Sequence, residues 1–170
     1  NRPIPSGLVS PAQALALALF LLLSGLILSF TISLDALLFS IGLATIGFLY
    51  NRKFKKHGLI GNLMVSFSVG MTFVFGGLSV ELPFNKVVLF FAVIAALVDL
   101  GEEIAADSMD VKGDKLIDSK SIAIKHGKEK ALRVSAFIFV LVIVLSLIPF
   151  LLQWFNKVYL IPIAVMDIFI

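Results

Sequence analysis

An all-α bundle of membrane-spanning helices is the fold class this sequence predicts, and three observations predict it. Hydrophobic residues make up 59% of the chain, charged ones only 15%, and mean hydropathy is +1.06, with Phe alone at 16 copies. A soluble domain carries a smaller apolar share and more charge. The apolar residues also fall into runs of bilayer length separated by polar turns. Finally, the charges gather in alternate turns rather than along the runs. The absence of cysteine excludes a disulfide framework and a thiolate metal site. Any metal must then be held by oxygen or by the two histidines, which favours hard cations such as Mg²⁺.

The first span is expected from Pro11 to about Phe30. Ser10 can cap it, Pro11 suits the first helical position, and Gln13 completes a capping box. A second run, Ser33 to Tyr50, has Ser33 and Asp35 to support its start, and it ends in the basic stretch NRKFKKHG. The third, Leu59 to Ser79, carries Gly61, Gly70, Gly76, Gly77, Asn62, Ser66 and Ser68. Small and polar side chains in a span face other helices, so this one belongs inside the bundle. The fourth runs from Lys86 to about Leu100 and continues as a helix into an acidic stretch ending near Gly113. A polar, partly ordered loop, Asp114 to Lys130, follows. The fifth, Ala131 to Phe155, is kinked by Pro149 and anchored at the interface by Trp154. A sixth begins near Lys157, leaving too few residues to cross about 30 Å at 1.5 Å per residue. Residues 1–170 therefore read as one transmembrane domain with about five complete helices plus a partial sixth. It is expected to be incomplete at both ends, because no initiator Met or signal peptide opens it.

Charge orients the bundle. If the spans alternate across the bilayer, twelve of the Lys and Arg residues fall on one side and only Lys86 and Lys157 on the other. The richer side is expected to be cytoplasmic. That side also holds the N-terminal NRPIPSG, the NRKFKKHG loop and the acidic stretch. Glu103, Asp107, Asp110 and Asp114, spaced four, three and four apart, share one face of a continuous helix. Like charges at that spacing repel, so a cation is expected among them. Carboxylates alone cannot hold an anion, and lysines alone cannot hold a bare cation. A metal-bound diphosphate satisfies both, and the surrounding apolar bundle suits a greasy tail.

These residues also carry a resemblance. NRPIPSGLVS resembles the tail of the first aspartate-rich motif of UbiA-type intramembrane prenyltransferases. EEIAADSMDVKGDK, Glu102 to Lys115, resembles their second such motif, and SKSIAIKHG, Ser119 to Gly127, the segment after it. YNRKFKKHGLIGN, Tyr50 to Asn62, resembles the basic loop between the motifs. The resemblance implies a bundle of roughly nine helices around a central cavity and transfer of an isoprenyl group from its diphosphate to an acceptor, with Mg²⁺ as cofactor. It implies metal-binding roles for Asp107, Asp110 and Asp114, with Asp107 and Asp110 catalytic, and the shared acidic face adds Glu103 as a metal contact. Diphosphate contacts fall to Arg2, Tyr50, Lys53 and Lys55. By position rather than resemblance, Asn62, one turn inside a span, reads as a helix-packing hydrogen bond or a ligand contact, and Asp99, on the acidic stripe at the membrane border, as a supporting residue. The partners implied are a prenyl diphosphate donor, a lipophilic acceptor and the lipid bilayer, with no nucleic acid. The wording of MDVKGDK and SKSIAIK is closest to the archaeal branch that prenylates geranylgeranylglyceryl phosphate. An aromatic-acceptor enzyme of quinone, haem or chlorophyll synthesis is the alternative. A cation transporter or channel is disfavoured because charges cluster at one membrane face. Two features depart from the family pattern: the acidic residues of the first motif are absent from a sequence that begins at its tail, so the rest of the metal site is expected elsewhere or the chain is inactive, and Glu102 stands where many relatives carry arginine. His57 and His126 read as ordinary loop histidines.

Overall fold

A computed structural model describes residues 3–116 and 118–169. Among these residues every regular element is helical. They form two compact units, one up to Gly42 and one from Leu43 onward.

The first unit holds helix α1, Pro11–Ile32, and the start of α2, Leu34–Leu49. The expected capping box is present: Gln13 N–H donates to Ser10 Oγ at 3.2 Å, and Ser10 N–H to Gln13 Oε1 at 2.9 Å. Ser33 separates the helices, and its Oγ accepts from Ala36 N–H at 3.0 Å to cap α2. The Ser29 and Ser40 hydroxyls, 2.8 Å apart, tie the two together. Nearly all large side chains of α1 are exposed, as a surface in contact with lipid requires.

The second unit is built around α4, Lys86–Met109, which packs between α3, Leu59–Leu78, and α7, Lys128–Ser146. α3 and α4 run antiparallel and touch along a stripe of small residues. A Cβ on Gly70 would lie 2.6 Å from the Ala92 carbonyl oxygen, so only glycine permits this approach. On the other side Ser135 Oγ of α7 donates to the Gly101 carbonyl at 2.7 Å. Ile104, Ala123, Ala131 and Ile138 form the buried core there.

Four helical segments are long and apolar enough to cross a membrane: Pro11–Ile32, Leu34–Phe54, Leu59–Leu78 and Lys128–Leu151. This is an integral membrane protein. α4, another of the expected spans, has 24 residues, but Asp99, Glu102, Glu103 and Asp107 occupy its second half. It is not among those four, because these carboxylates interrupt its apolar run after Val98, and it packs between α3 and α7.

Three local features differ from the expectation. α2 passes into a π-helical turn, Tyr50–Phe54, closed by Lys55 N–H to the Tyr50 carbonyl at 2.8 Å. The acidic stretch is not one helix: α4 ends at Met109 and a short α5, Val111–Leu116, follows. Asp110 makes the break, with φ −108° and ψ 36°, because its own Oδ1 accepts from Gly113 N–H at 3.1 Å. The fifth span pauses at Leu147 before a four-residue α8, Ile148–Leu151, because Pro149 supplies no N–H and crowds the preceding turn. A 3₁₀ turn, Lys157–Tyr159, then leads into α9, Leu160–Phe169.

The polar loops are ordered against each other. Lys120 N–H donates to the Lys56 carbonyl at 2.9 Å. Gly58, at φ +59°, lies against the Lys120 carbonyl so closely that a Cβ there would collide with it. Ser121, fully buried, caps the short α6, Ile122–His126.

Candidate functional site

The π-turn, the start of α3 and the acidic end of α4 meet in one place. Tyr50 packs against the α3 start, where a Cβ on Gly61 would lie 3.5 Å from its ring. Its phenol sits within electrostatic reach of Asp99, Glu103, Asp107 and Asp114. A π-turn re-aims the side chains that follow it and recurs at functional sites.

The antiparallel register of α3 and α4 pairs polar residues across the seam. Asn62 Nδ2 donates to Asp107 Oδ2 at 2.9 Å, and one turn further into α3 Ser66 Oγ lies 2.8 Å from Asp99 Oδ2. Asn62 and Ser66 are both buried. Each carboxylate is therefore held on one oxygen and has lone pairs left on the other.

The electrostatics are those of crowded anions. Burial, then the negative charges of Asp99, Asp107 and Glu102, push the Glu103 carboxyl above its ordinary range. Burial also pushes Asp107 up; the Asn62 hydrogen bond opposes this and Asp114 adds to it. Asp114 Oδ2 is buried with no hydrogen-bond partner. Among the described residues no Lys or Arg forms an ion pair with any of these carboxylates; the pair found is Arg133–Glu129 at 3.7 Å.

Of the residues singled out from sequence, the structure brings Tyr50, Asn62, Asp99, Glu103, Asp107 and Asp114 together. Asp110 is exposed at the helix break, so the single acidic face expected over 103–114 becomes two short ones. Lys53 and Lys55 are exposed on the adjoining turn, the Lys53 ammonium 5.5 Å from the Phe54 ring centre. Arg2 lies outside the described residues. Among the described residues no three Asp, Glu or His side chains close on a single point as a ready-made metal cage. In kind, however, they suit a hard divalent cation: an all-oxygen donor set, mutually repelling, with an orphaned carboxylate oxygen in its midst.

A cavity of about 320 Å³ adjoins the acidic part of α4. Phe73, Phe90, Phe91, Ile94 and Ile163 give it an apolar wall, and Asp99 and Glu102 stand at its charged end. Tyr159 and Met166 line it too. The roles of Ser66 and Tyr159 were not apparent from sequence. Ser66 sits four residues after Asn62, as Asp99 and Asp107 sit eight apart on α4; only the antiparallel register turns those spacings into pairs.

The profile of the UbiA prenyltransferase family matches residues 1–170. The chain belongs to that family. It is 37% identical over 168 residues to a digeranylgeranylglyceryl phosphate synthase of Methanocaldococcus jannaschii, covering 99% of this chain and 58% of that protein. A protein of the same name from Methanosphaera stadtmanae is 37% identical over 169 residues, covering 99% and 61%. A solved structure described as giving structural and mechanistic insights into digeranylgeranylglyceryl phosphate synthase in membranes superposes with a TM-score of 0.72 at 36% identity, covering 99% of this chain and 60% of that one. The chain thus spans about six tenths of the length of these relatives. Three UbiA motif segments read from the sequence, at Tyr50, Glu102 and Ser119, are the segments that meet at the end of α4.

Proposed function

We propose that this UbiA-family chain takes part in moving a geranylgeranyl group from its diphosphate to the free hydroxyl of geranylgeranylglyceryl phosphate, a step of ether-lipid synthesis. The observation that carries this reading is the two-part site, in which the crowded carboxylates of α4 adjoin an apolar cavity that Asp99 and Glu102 line. The names of its relatives favour a glycerol phosphate acceptor over an aromatic one.

Asp107, Asp114 and Glu103 would hold magnesium, with Asp110 at the rim. When bound, magnesium neutralises the charge that gathers on a departing diphosphate. Asn62 would aim Asp107 by donating to one of its oxygens, and that bond opposes the upward push of burial on the carboxyl. Tyr50, Lys53 and Lys55 would contact the remaining phosphate oxygens. Each donor poised where charge develops can be worth roughly 3 to 4 kcal/mol. The aromatic and aliphatic cavity wall would take the isoprenoid chain and exclude water from the allylic cation. The basic loops that carry these residues would lie on the cytoplasmic side.

Thin-layer analysis of products from radiolabelled geranylgeranyl diphosphate tests the reading. The complete protein should label geranylgeranylglyceryl phosphate in the presence of magnesium and leave aromatic acids unlabelled. Labelling of aromatic acids alone would move the assignment to the quinone-type branch.

A further inference from the structure

The transfer leaves one participant unassigned, the group that receives the acceptor's proton. Alkylating a hydroxyl releases a proton, and none of the residues placed around the diphosphate is free to accept it while holding metal or phosphate. The cavity wall offers a candidate.

Asp99 lies one helical turn deeper than Glu103, about 6 Å further along α4. It is half-buried and lines the apolar cavity. One of its oxygens lies 2.8 Å from the hydroxyl of Ser66, a residue only 2% exposed, whose single hydroxyl proton is shared between Asp99 and the Asn62 carbonyl, also at 2.8 Å. An ionisable side chain placed in the wall of an apolar cavity inside a membrane is costly, and such residues mark sites of function. The other polar side chains of the wall are differently placed. Tyr159 donates its hydroxyl to the Ser146 carbonyl at 2.8 Å, Ser146 donates to the Ile143 carbonyl at 2.7 Å, and Glu102 is exposed. Asp99 is the one that combines a fixed orientation with a position at the head of the apolar space. The reactive carbon of a prenyl diphosphate, which joins the charged head to the tail, would come to rest there.

We infer that Asp99, aimed by Ser66, is the catalytic residue that holds the acceptor hydroxyl and takes its proton. This rests on the transfer proposed above. The bond from the first prenyl carbon to the diphosphate oxygen breaks, and its electron pair leaves with the diphosphate. A lone pair of the acceptor oxygen forms the new carbon–oxygen bond, and the proton of that oxygen passes to the free oxygen of Asp99. The same carboxylate faces the allylic cation as it forms and favours it electrostatically. Ser66 is a positioning residue, since it acts through Asp99.

The test compares the complete wild-type protein with Asp99→Asn and Ser66→Ala in lipid vesicles, using radiolabelled geranylgeranyl diphosphate and geranylgeranylglyceryl phosphate. Asp99→Asn should lower kcat by about a hundredfold or more, the range general-base groups contribute. Donor KM, the magnesium concentration for half-activity and calorimetric donor binding should stay close to wild type. Ser66→Ala should raise acceptor KM with a smaller effect on kcat. Wild-type kcat in Asp99→Asn overturns the inference. So does a loss that appears in donor KM, magnesium demand or donor binding, which would place Asp99 with the metal ligands or in a purely structural role. A wild-type protein that prenylates no hydroxyl acceptor overturns the transfer reading itself. One that does so while Asp99→Asn keeps pace overturns only the role of Asp99.

Discussion

Asn62 and Asp107 show how one polar pair sets the chemistry of a membrane-rim site. Without the amide, burial and Asp114 would act unopposed on the Asp107 carboxyl and favour its neutral form. Glu103 is pushed the same way by burial and by Asp99, Asp107 and Glu102. Raised carboxyl values in the folded chain mean that it binds more protons than the unfolded chain once pH exceeds the ordinary carboxylate range. Stability therefore falls as pH rises through that window, and the contribution is fully present only below it. With divalent cations chelated, thermal unfolding should move to lower temperature from about pH 4 to pH 7. Excess magnesium should remove that slope by stabilising the ionised carboxylates. A cation-free unfolding temperature that climbs over the same window would contradict the crowding described here. Much of this scale was legible beforehand: Asp107, Glu103 and Asn62 could be named from residue type and position, and Tyr50 from the resemblance to UbiA-type sequences. Asp99 could be named too, but its place in the cavity wall could not, since it depends on which α4 face meets Ser66.

At the scale of elements, the two polar loops behave as one cap. Lys120 N–H bonds to the Lys56 carbonyl, and Gly58 allows the contact by adopting φ +59° with no side chain to meet the Lys120 carbonyl. Gly58→Ala imposes both a strained backbone and a collision with main chain, each costing about 1 to 3 kcal/mol. The loop bearing Lys53 and Lys55 should then separate from the segment after the acidic motif. Donor KM should rise severalfold with little change in kcat, and unchanged kinetics would mean that the loops act independently. The spans themselves were legible because runs of apolar residues set by bilayer thickness leave a strong mark in sequence. The break at Asp110 was not. Aspartate tolerates a helix end as readily as an acidic face, and the choice rests on one local hydrogen bond to Gly113. The expected kink at Pro149 becomes a pause at Leu147, the same physics made sharper by a short following helix.

Over the whole molecule, the arrangement resolves a conflict between bilayer and chemistry. Under the function proposed above, a diphosphate is to be held by charge, while its tail and the cation it generates need a dry apolar setting. α4 meets both demands along one rod, apolar through Val98 and acidic from Asp99 to Asp107, with α3 and α7 shielding its sides. Composition alone pointed to membrane helices and the spacing of carboxylates to a cation. The cavity was not visible in sequence, because Phe73, Phe91, Tyr159 and Ile163 come from α3, α4, the 3₁₀ turn and α9 and meet only in the folded unit. The central claim is that the carboxylates beside this cavity hold the metal that releases diphosphate. It is tested most directly by measuring magnesium-dependent turnover of geranylgeranyl diphosphate in the complete protein and in its Asp107→Asn variant, with purified yield and unfolding temperature recorded for both. Turnover should be abolished in a variant that remains folded in the membrane; turnover at the wild-type rate would contradict the claim.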